Sequence, residues 1–138
     1  MTFLELLKTN PDKILFDATE FLSRSDLEHY KKFNQESLRA KLAKLFFATR
    51  ECVEKNSFDP IQKFISQVAP DRFESGFELY EVQTAINILE ECYWKNIVDR
   101  VNSEEKMQAL VRTHEILCSA KNTLAKSYVE FEREAPAK

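Results

Sequence analysis

Apolar residues recur three and four positions apart along much of the chain, which is the spacing of one face of an α-helix. The clearest stretch follows Asn34, a residue type that commonly caps helices. Its apolar stripe consists of Leu38, Leu42, Leu45, Phe46, Thr49 and Val53. The pattern predicts a long amphipathic helix with one face toward a core.

Other helix starts are indicated by residues that favour caps and first turns. Asp59 followed by Pro60 predicts the start of a helix, because proline fits the first helical position. We expect this helix to falter near Pro70, since an internal proline removes a backbone hydrogen bond. Ser25 is predicted to cap a brief helix over residues 26–33.

Gly76 is the only glycine of the chain, and it is predicted to make a structural turn. A helix is expected to end near Phe73 or Glu74, and the left-handed residue just past a helix end is usually glycine. The following helix has an unusually broad apolar face, which predicts a central position with neighbours on more than one side. That face consists of Leu79, Val82, Ala85, Ile86, Ile88, Leu89, Cys92, Tyr93, Ile97 and Val101.

The last helix is predicted to run unbroken over about residues 103–134. At about 1.5 Å per residue it would be roughly 45–50 Å long, more than the roughly 30 Å of a small domain. Its apolar positions alternate three and four apart, as in a coiled coil. Two interpretations stay open: the helix packs within its own bundle, or its distal half pairs with another subunit. The candidate dimer seam consists of Leu117, Lys121, Leu124, Tyr128 and Phe131.

Composition favours an all-α fold. One Gly and four Pro in 138 residues are too few for the frequent turns of a β-rich protein. The length fits a single domain over residues 1–138. We therefore expect an all-α helical bundle with a long C-terminal helix. The residues expected in its core are Leu42, Leu45, Phe64, Leu79, Val82, Ile86, Leu89 and Leu117.

The charge pattern argues against several classes of partner. The net charge is −3, and 20 basic residues are interleaved with 23 acidic ones, so no basic stripe for nucleic acid is seen. No apolar run is long enough to span a membrane, and the N-terminus has no basic segment typical of a signal peptide. Three widely spaced cysteines, Cys52, Cys92 and Cys118, are interpreted as reduced core thiols of a cytoplasmic protein.

Catalytic signatures are not found. With one glycine the chain has no phosphate-binding loop and no nucleophile elbow, both of which need several glycines. The two histidines, His29 and His114, lack the spacing of a di-iron or zinc site. We therefore expect no enzymatic activity, no cofactor and no metal.

Two kinds of side chain leave chemical alternatives open. His114 lies on an apolar stripe, where a half-buried structural histidine is favoured over a haem ligand or a group that titrates near neutral pH. Inert packing is likewise favoured for the cysteines over oxidant sensing by an exposed thiolate. A small-molecule pocket is predicted near Phe46, Tyr93, Trp94 and His114.

The segment from Gly76 to Trp94, GFELYEVQTAINILEECYW, resembles the N-terminal sensory domain of RsbR-type stressosome proteins and the related RsbT co-antagonist N-terminal domains. In that family a glycine-led turn precedes a helix that a tryptophan closes. The matching residues are Gly76, Glu81, Val82, Ala85, Ile86, Leu89 and Trp94. The opening LELLKTNPDKIL is also similar to the start of such domains.

The resemblance implies a globin-like sensory domain without haem, which dimerises and passes a signal through its terminal helix to an output domain or signalling partner. Two features depart from the family pattern. Glu90 and Glu91 stand where an arginine is common, and the sequence ends at Lys138, before any segment with the pattern of an output domain. An excised sensor module and a stand-alone relative are both consistent with that second feature. The alternative function is a stand-alone small-molecule-binding helical domain of unknown ligand.

Overall fold

The computed structural model describes residues 1–135, and within them the regular structure is helical, with no strand. The elements are α1 (Phe3–Thr9), α2 (Pro11–Arg24), a 3-10 turn (Tyr30–Lys32), α3 (Gln35–Lys55), α4 (Asp59–Glu74), α5 (Leu79–Arg100) and α6 (Lys106–Glu134). The predicted all-α bundle with a long C-terminal helix is confirmed. None of these helices combines the length and the apolar content needed to cross a bilayer.

Helix α5 lies at the centre of the bundle, between α2 and α6, while α4 packs against α3 and α6. The buried apolar side chains form one continuous cluster. Six of the eight expected core residues are buried: Leu42, Leu45, Val82, Ile86, Leu89 and Leu117. Phe64 and Leu79 are partly buried and pack against that cluster from its edge. The broad apolar face of α5 therefore has the central position that its width predicts.

Of the predicted helix caps, Asn34 is confirmed and Asp59 is displaced by one residue. The side chain of Asn34 caps α3 as predicted, accepting a 2.8 Å hydrogen bond from the backbone N–H of Ser37. Asp59 is not the cap of α4 but its first residue, and its own N–H is accepted by Ser57 Oγ at 3.1 Å. Asp59 and Pro60 are thus the first and second residues of α4, each one position further into the helix than expected.

Two local predictions are wrong. Ser25 does not open a helix: its hydroxyl donates to the Leu22 carbonyl at 2.6 Å and so closes α2, leaving a short 3-10 turn downstream. Helix α4 does not falter at Pro70 but continues to Glu74. The preceding residue Ala69 is fully buried, so packing on the core holds the helix through the proline.

Gly76 ends α4 as predicted, with φ at +86°. The N–H of Gly76 donates to the Phe73 carbonyl at 3.1 Å, and the N–H of Phe77 donates to the Arg72 carbonyl at 2.9 Å. These two bonds are those of a Schellman motif, which satisfies the last carbonyls of a helix. The turn then leads directly into α5.

A buried carboxylate follows this turn. Glu81, in the first turn of α5, is 1% exposed. Its Oε2 lies 2.7 Å from Nδ1 of His29 and accepts the backbone N–H of Glu78 at 2.8 Å, while its Oε1 accepts the backbone N–H of His29 at 3.0 Å. Because an ionised carboxylate only accepts hydrogen bonds, Nδ1 of His29 is the donor in that pair. Glu81 therefore fixes the segment before α3 onto the start of α5.

The long helix α6 is covered by its own subunit for most of its length. It contains 29 residues, about 43 Å at 1.5 Å per residue. Helix α4 runs beside it in the same direction. Three contacts mark this course: Phe58 with Arg112, Gln62 with Ser119, and Phe73 with Phe131.

The candidate dimer seam therefore does not lie on the surface. Leu117 and Leu124 are fully buried within the bundle, and Tyr128 is 4% exposed. Phe131 is partly buried, with its ring 5.2 Å from that of Phe73. The coiled-coil spacing is satisfied by helices α4 and α5 of the same chain, and this is the physical reason that the predicted seam between subunits is wrong.

Candidate functional site

Helices α5 and α6 run antiparallel and share one outward-facing side. Lys121 Nζ donates to Asn87 Oδ1 at 2.9 Å, and His114 Nδ1 lies 3.1 Å from Glu90 Oε2. A residue later on α5 thus meets a residue earlier on α6. We call this side the α5–α6 face, and it carries a polar cluster at one end and an apolar patch at the other.

The polar cluster contains a carboxylate, an imidazole and a thiol in contact. The side chain of Glu90 is 9% exposed, whereas that of His114 is 55% exposed. Beyond the imidazole, Cys118 Sγ lies 3.3 Å from Nε2 and 3.9 Å from Nδ1 of His114. Two such distances place the sulfur over the face of the ring near Nε2. The cluster thus joins a nearly buried anion to a half-exposed base and a thiol.

A lysine adds a positive charge beside this cluster. Lys121 Nζ is 3.6 Å from Glu90 Oε1, so the carboxylate of Glu90 has one oxygen toward a lysine and the other toward His114. Lys121 belonged to the candidate dimer seam, and its place is instead this intramolecular network. The network explains how Glu90 is nearly buried: its charge is offset by cationic and hydrogen-bonding neighbours.

The apolar patch lies further along the same face and is defined by Trp94, Val98, Met107, Leu110 and Val111. Trp94, Val98 and Leu110 line a shared open depression of about 590 Å³. Trp94, Val98, Met107 and Val111 are exposed to solvent. Met107 lies three residues before Leu110 and four before Val111, so it shares a side of α6 with each of them. A group of exposed apolar side chains on one surface is typical of interaction sites.

The four residues of the predicted pocket fall into two separate pairs. Phe46 and Tyr93 are fully buried, with stacked rings 5.5 Å apart, and they fill core. Trp94 and His114 lie on the α5–α6 face with their rings 6.4 Å apart. Tyr93 and Trp94 are consecutive in α5, so their side chains point in different directions around the helix. The pairs do not share a cavity.

The cysteines also separate into two environments. Cys52 and Cys92 are buried, as core thiols were expected to be, and burial raises the pKa of Cys92 to about 11. Cys118 is only partly buried, so its assignment to the core is corrected. It lies at the edge of the inward face of α6, where the side chain meets the polar cluster rather than the core.

A small cavity between α3, α4 and α5 contains a second group of cations. Its volume is about 40 Å³, far below the roughly 300 Å³ of an ordinary ligand pocket. Arg72 and Lys41 are among its lining residues, and Arg72 Nε is buried without a hydrogen-bond partner. Burial, followed by the repulsion of Arg72, lowers the pKa of Lys41.

Comparison of the chain with family models, curated proteins and solved structures gives no match. In the part of the chain that the structure describes, no three His, Cys, Asp or Glu side chains are grouped so that they could hold a metal ion. The residues of the α5–α6 face are therefore interpreted from their own geometry.

The sequence indicates His114 as a candidate but does not indicate its partners. Glu90 stands out only as a departure from a family pattern, and Cys118 has the spacing of a packing residue. The spacing of four between His114 and Cys118 was a usable signal, since residues four apart share a helix face. The contact with Glu90 spans 24 residues and depends on how α5 and α6 pair, which local spacing does not reveal.

Proposed function

We propose that this chain is a non-enzymatic sensory or protein-interaction domain of the kind found at the N-terminus of RsbR-type stressosome proteins. In this proposal it acts in the cytoplasm as a homodimer and relays a signal along α6 to a protein partner. The observation that carries the proposal is the apolar patch on the α5–α6 face. Large side chains remain in water there, although the inward faces of the same helices are buried in the core, as at Leu89 and Leu117.

The residues that carry the family resemblance have definite structural roles, which supports the proposal. Gly76 makes the left-handed turn before α5, and Glu81 is the buried acceptor in the first turn of that helix. Trp94 lies in the apolar patch. The segment that carries the resemblance thus reaches the surface on which the proposal rests.

A second copy of this chain is the partner that the patch fits best. The depression beside it is lined by charges of both signs, namely Lys13, Asp17, Lys95 and Asp99. In a two-fold interface the same surface meets itself, so a rim that carries both signs is self-complementary. A strongly basic or strongly acidic partner would be attracted by two of these charges and repelled by the other two.

The test is the association state of the full chain, measured by sedimentation equilibrium at micromolar concentration. We expect a dimer for the wild type. Val111→Glu should weaken it by at least about tenfold, since it introduces a carboxylate into an apolar contact. The matched control is Val129→Glu, on the same helix and of similar exposure, 46% against 50% for Val111, but outside the patch.

Val129→Glu should leave the dimer intact. Because both valines are exposed, circular dichroism should show that both variants keep the wild-type helix content. A wild type that stays monomeric up to millimolar concentration would contradict the proposal. So would dissociation of the dimer by Val129→Glu but not by Val111→Glu, since that would place the contact on the distal half of α6.

One observation favours the alternative of a ligand-binding domain. The unpartnered Nε of Arg72 and the neighbouring Lys41, which both belong to the lining of the cavity between α3, α4 and α5, would suit a small carboxylate. A thermal-shift series with short-chain carboxylates tests this alternative, with Arg72→Met as the variant that should abolish any stabilisation. No shift with the wild type would exclude this site for such ligands.

A further inference from the structure

We infer that Cys118 is a reactive thiol that small hydroperoxides oxidise to a sulfenic acid, with His114 carrying the proton and Glu90 positioning His114. The inference goes beyond the proposed function and does not depend on dimer formation. Cys118 lies two helical turns from Val111, at the polar end of the α5–α6 face.

Access selects Cys118 among the three cysteines. Cys52 and Cys92 are buried in the core, whereas Cys118 is partly exposed. Burial raises the pKa of both core thiols, which keeps them protonated and unreactive near neutral pH. Partial exposure admits a reagent with few atoms more readily than a bulky one. The structure therefore offers one thiol for reaction with a small oxidant.

The imidazole of His114 is the group that activates this thiol. Nε2 lies 3.3 Å from Sγ of Cys118. The attraction between an imidazolium and a thiolate depends on distance rather than on alignment, so it acts with the sulfur over the ring face. The side chain of His114 is more than half exposed, which leaves the ring free to turn its Nε2 toward the sulfur for proton transfer.

Glu90 decides which nitrogen of His114 takes up the proton. Its Oε2 accepts a hydrogen bond from Nδ1–H at 3.1 Å, which leaves Nε2, the ring nitrogen nearer to Sγ of Cys118, as the basic one. The same carboxylate stabilises the imidazolium once Nε2 is protonated. This order of carboxylate, imidazole and nucleophile is the general arrangement for activating a weak nucleophile. Glu90 is a positioning residue, since it acts through His114.

The reaction is balanced without any further reagent. Cys118 gives its thiol proton to Nε2 of His114, and the thiolate attacks the terminal oxygen of the hydroperoxide. An S–O bond forms as the O–O bond breaks, and the departing alkoxide or hydroxide takes the proton back from His114. Sulfur loses two electrons to the peroxide, which leaves as an alcohol or, for hydrogen peroxide, as water.

The experiment treats the full chain at neutral pH with hydrogen peroxide in the presence of dimedone, which traps sulfenic acids. Peptide mass spectrometry then locates and times the adduct. We expect the adduct on Cys118, with Cys52 and Cys92 unlabelled in the same molecules. His114→Ala should slow labelling at least about tenfold, since general acid–base catalysis typically contributes about 10²–10⁴-fold, and added imidazole should restore part of the rate.

Glu90→Gln should slow the labelling several-fold. Its matched control is Glu91→Gln, which removes an exposed carboxylate that pairs with Lys95 and does not touch His114. Thermal unfolding of each variant shows whether it remains folded, and imidazole rescue of His114→Ala separates proton transfer from a structural effect.

Three results would overturn the inference. In the first, labelling of Cys118 is equally fast in the wild type and in His114→Ala. In the second, the rate falls in His114→Ala but imidazole does not restore it, which would assign His114 a structural role. In the third, the adduct appears on Cys52 or Cys92 as readily as on Cys118.

Discussion

Nδ1 of His29 lies 2.7 Å from Oε2 of Glu81, although 52 residues separate them in the chain. The same carboxylate accepts two backbone N–H groups, so one buried side chain holds the segment before α3 against the start of α5. Buried anions with several donors contribute to stability only while they are ionised.

Glu81 should therefore make the stability of the protein fall in acid. Burial alone raises the pKa of Glu81, but the hydrogen bonds from His29 and Glu78 outweigh it and hold the pKa below its ordinary value of 4.5. A lowered folded-state pKa gives stability that is present above the unfolded-state pKa of about 4.5 and is lost as the pH falls toward the folded-state value.

Urea unfolding between about pH 6 and about pH 3 measures this contribution. Glu81→Gln should lower the free energy of unfolding at the upper pH by about 1–3 kcal/mol and should reduce its decline toward acid. Glu91→Gln, at an exposed site, should retain the wild-type decline. An unchanged decline in Glu81→Gln would show that this carboxylate is not held as described.

Gly76→Ala should destabilise the protein by about 1–2 kcal/mol, because a side chain is strained at a φ of +86°. An added Cβ would also lie 3.3 Å from His29 Nε2. Asn56, the other residue with positive φ in the described chain, provides the control. Asn56→Gly should change the free energy of unfolding by no more than about 0.5 kcal/mol, since asparagine tolerates this conformation.

Tyr128→Phe should cost about 1 kcal/mol in chemical denaturation. The hydroxyl of Tyr128 donates to the Phe77 carbonyl at 2.8 Å, and its loss leaves that carbonyl without this partner. Tyr80→Phe, at a side chain that is exposed, is the matched removal of a hydroxyl and should be close to neutral. Equal effects of the two substitutions would argue against the Tyr128 bond.

Leu89→Ala should lower the free energy of unfolding by about 2–5 kcal/mol, because Leu89 is fully buried at the centre of α5. Val98→Ala on the exposed side of the same helix should cost less than about 0.5 kcal/mol. A loss below about half a kilocalorie per mole at Leu89 would mean that α5 has been assigned the wrong inward face.

The spacing of residues along the chain is sufficient to predict structural features that depend only on residues close in sequence. The cap at Asn34, the left-handed turn at Gly76 and the buried face around Leu89 all follow from local spacing and local backbone chemistry. Ser25 shows the limit of that reasoning, because a serine hydroxyl can bond to the helix behind it as well as to one ahead.

Contacts between helices could not be predicted in the same way. The stripe through Leu117 and Leu124 has the same spacing whether another subunit or α4 and α5 cover it. Only the three-dimensional packing decides between them, and it places the stripe inside the bundle. The contact of Glu90 with His114 is of the same kind, since it depends on how two helices are aligned.

Helix α4 packs beside α6 beyond Ser119. The final turns of α6 are therefore an integral part of the domain. A chain cut after Ser119 would lose Leu124 and Tyr128 from the interior and would melt before its association could be assessed. A rotation or displacement of α6 at Glu134 would be resisted by the packing of α4 against it. A signal relayed along α6 would therefore require a conformational change of the whole helical bundle.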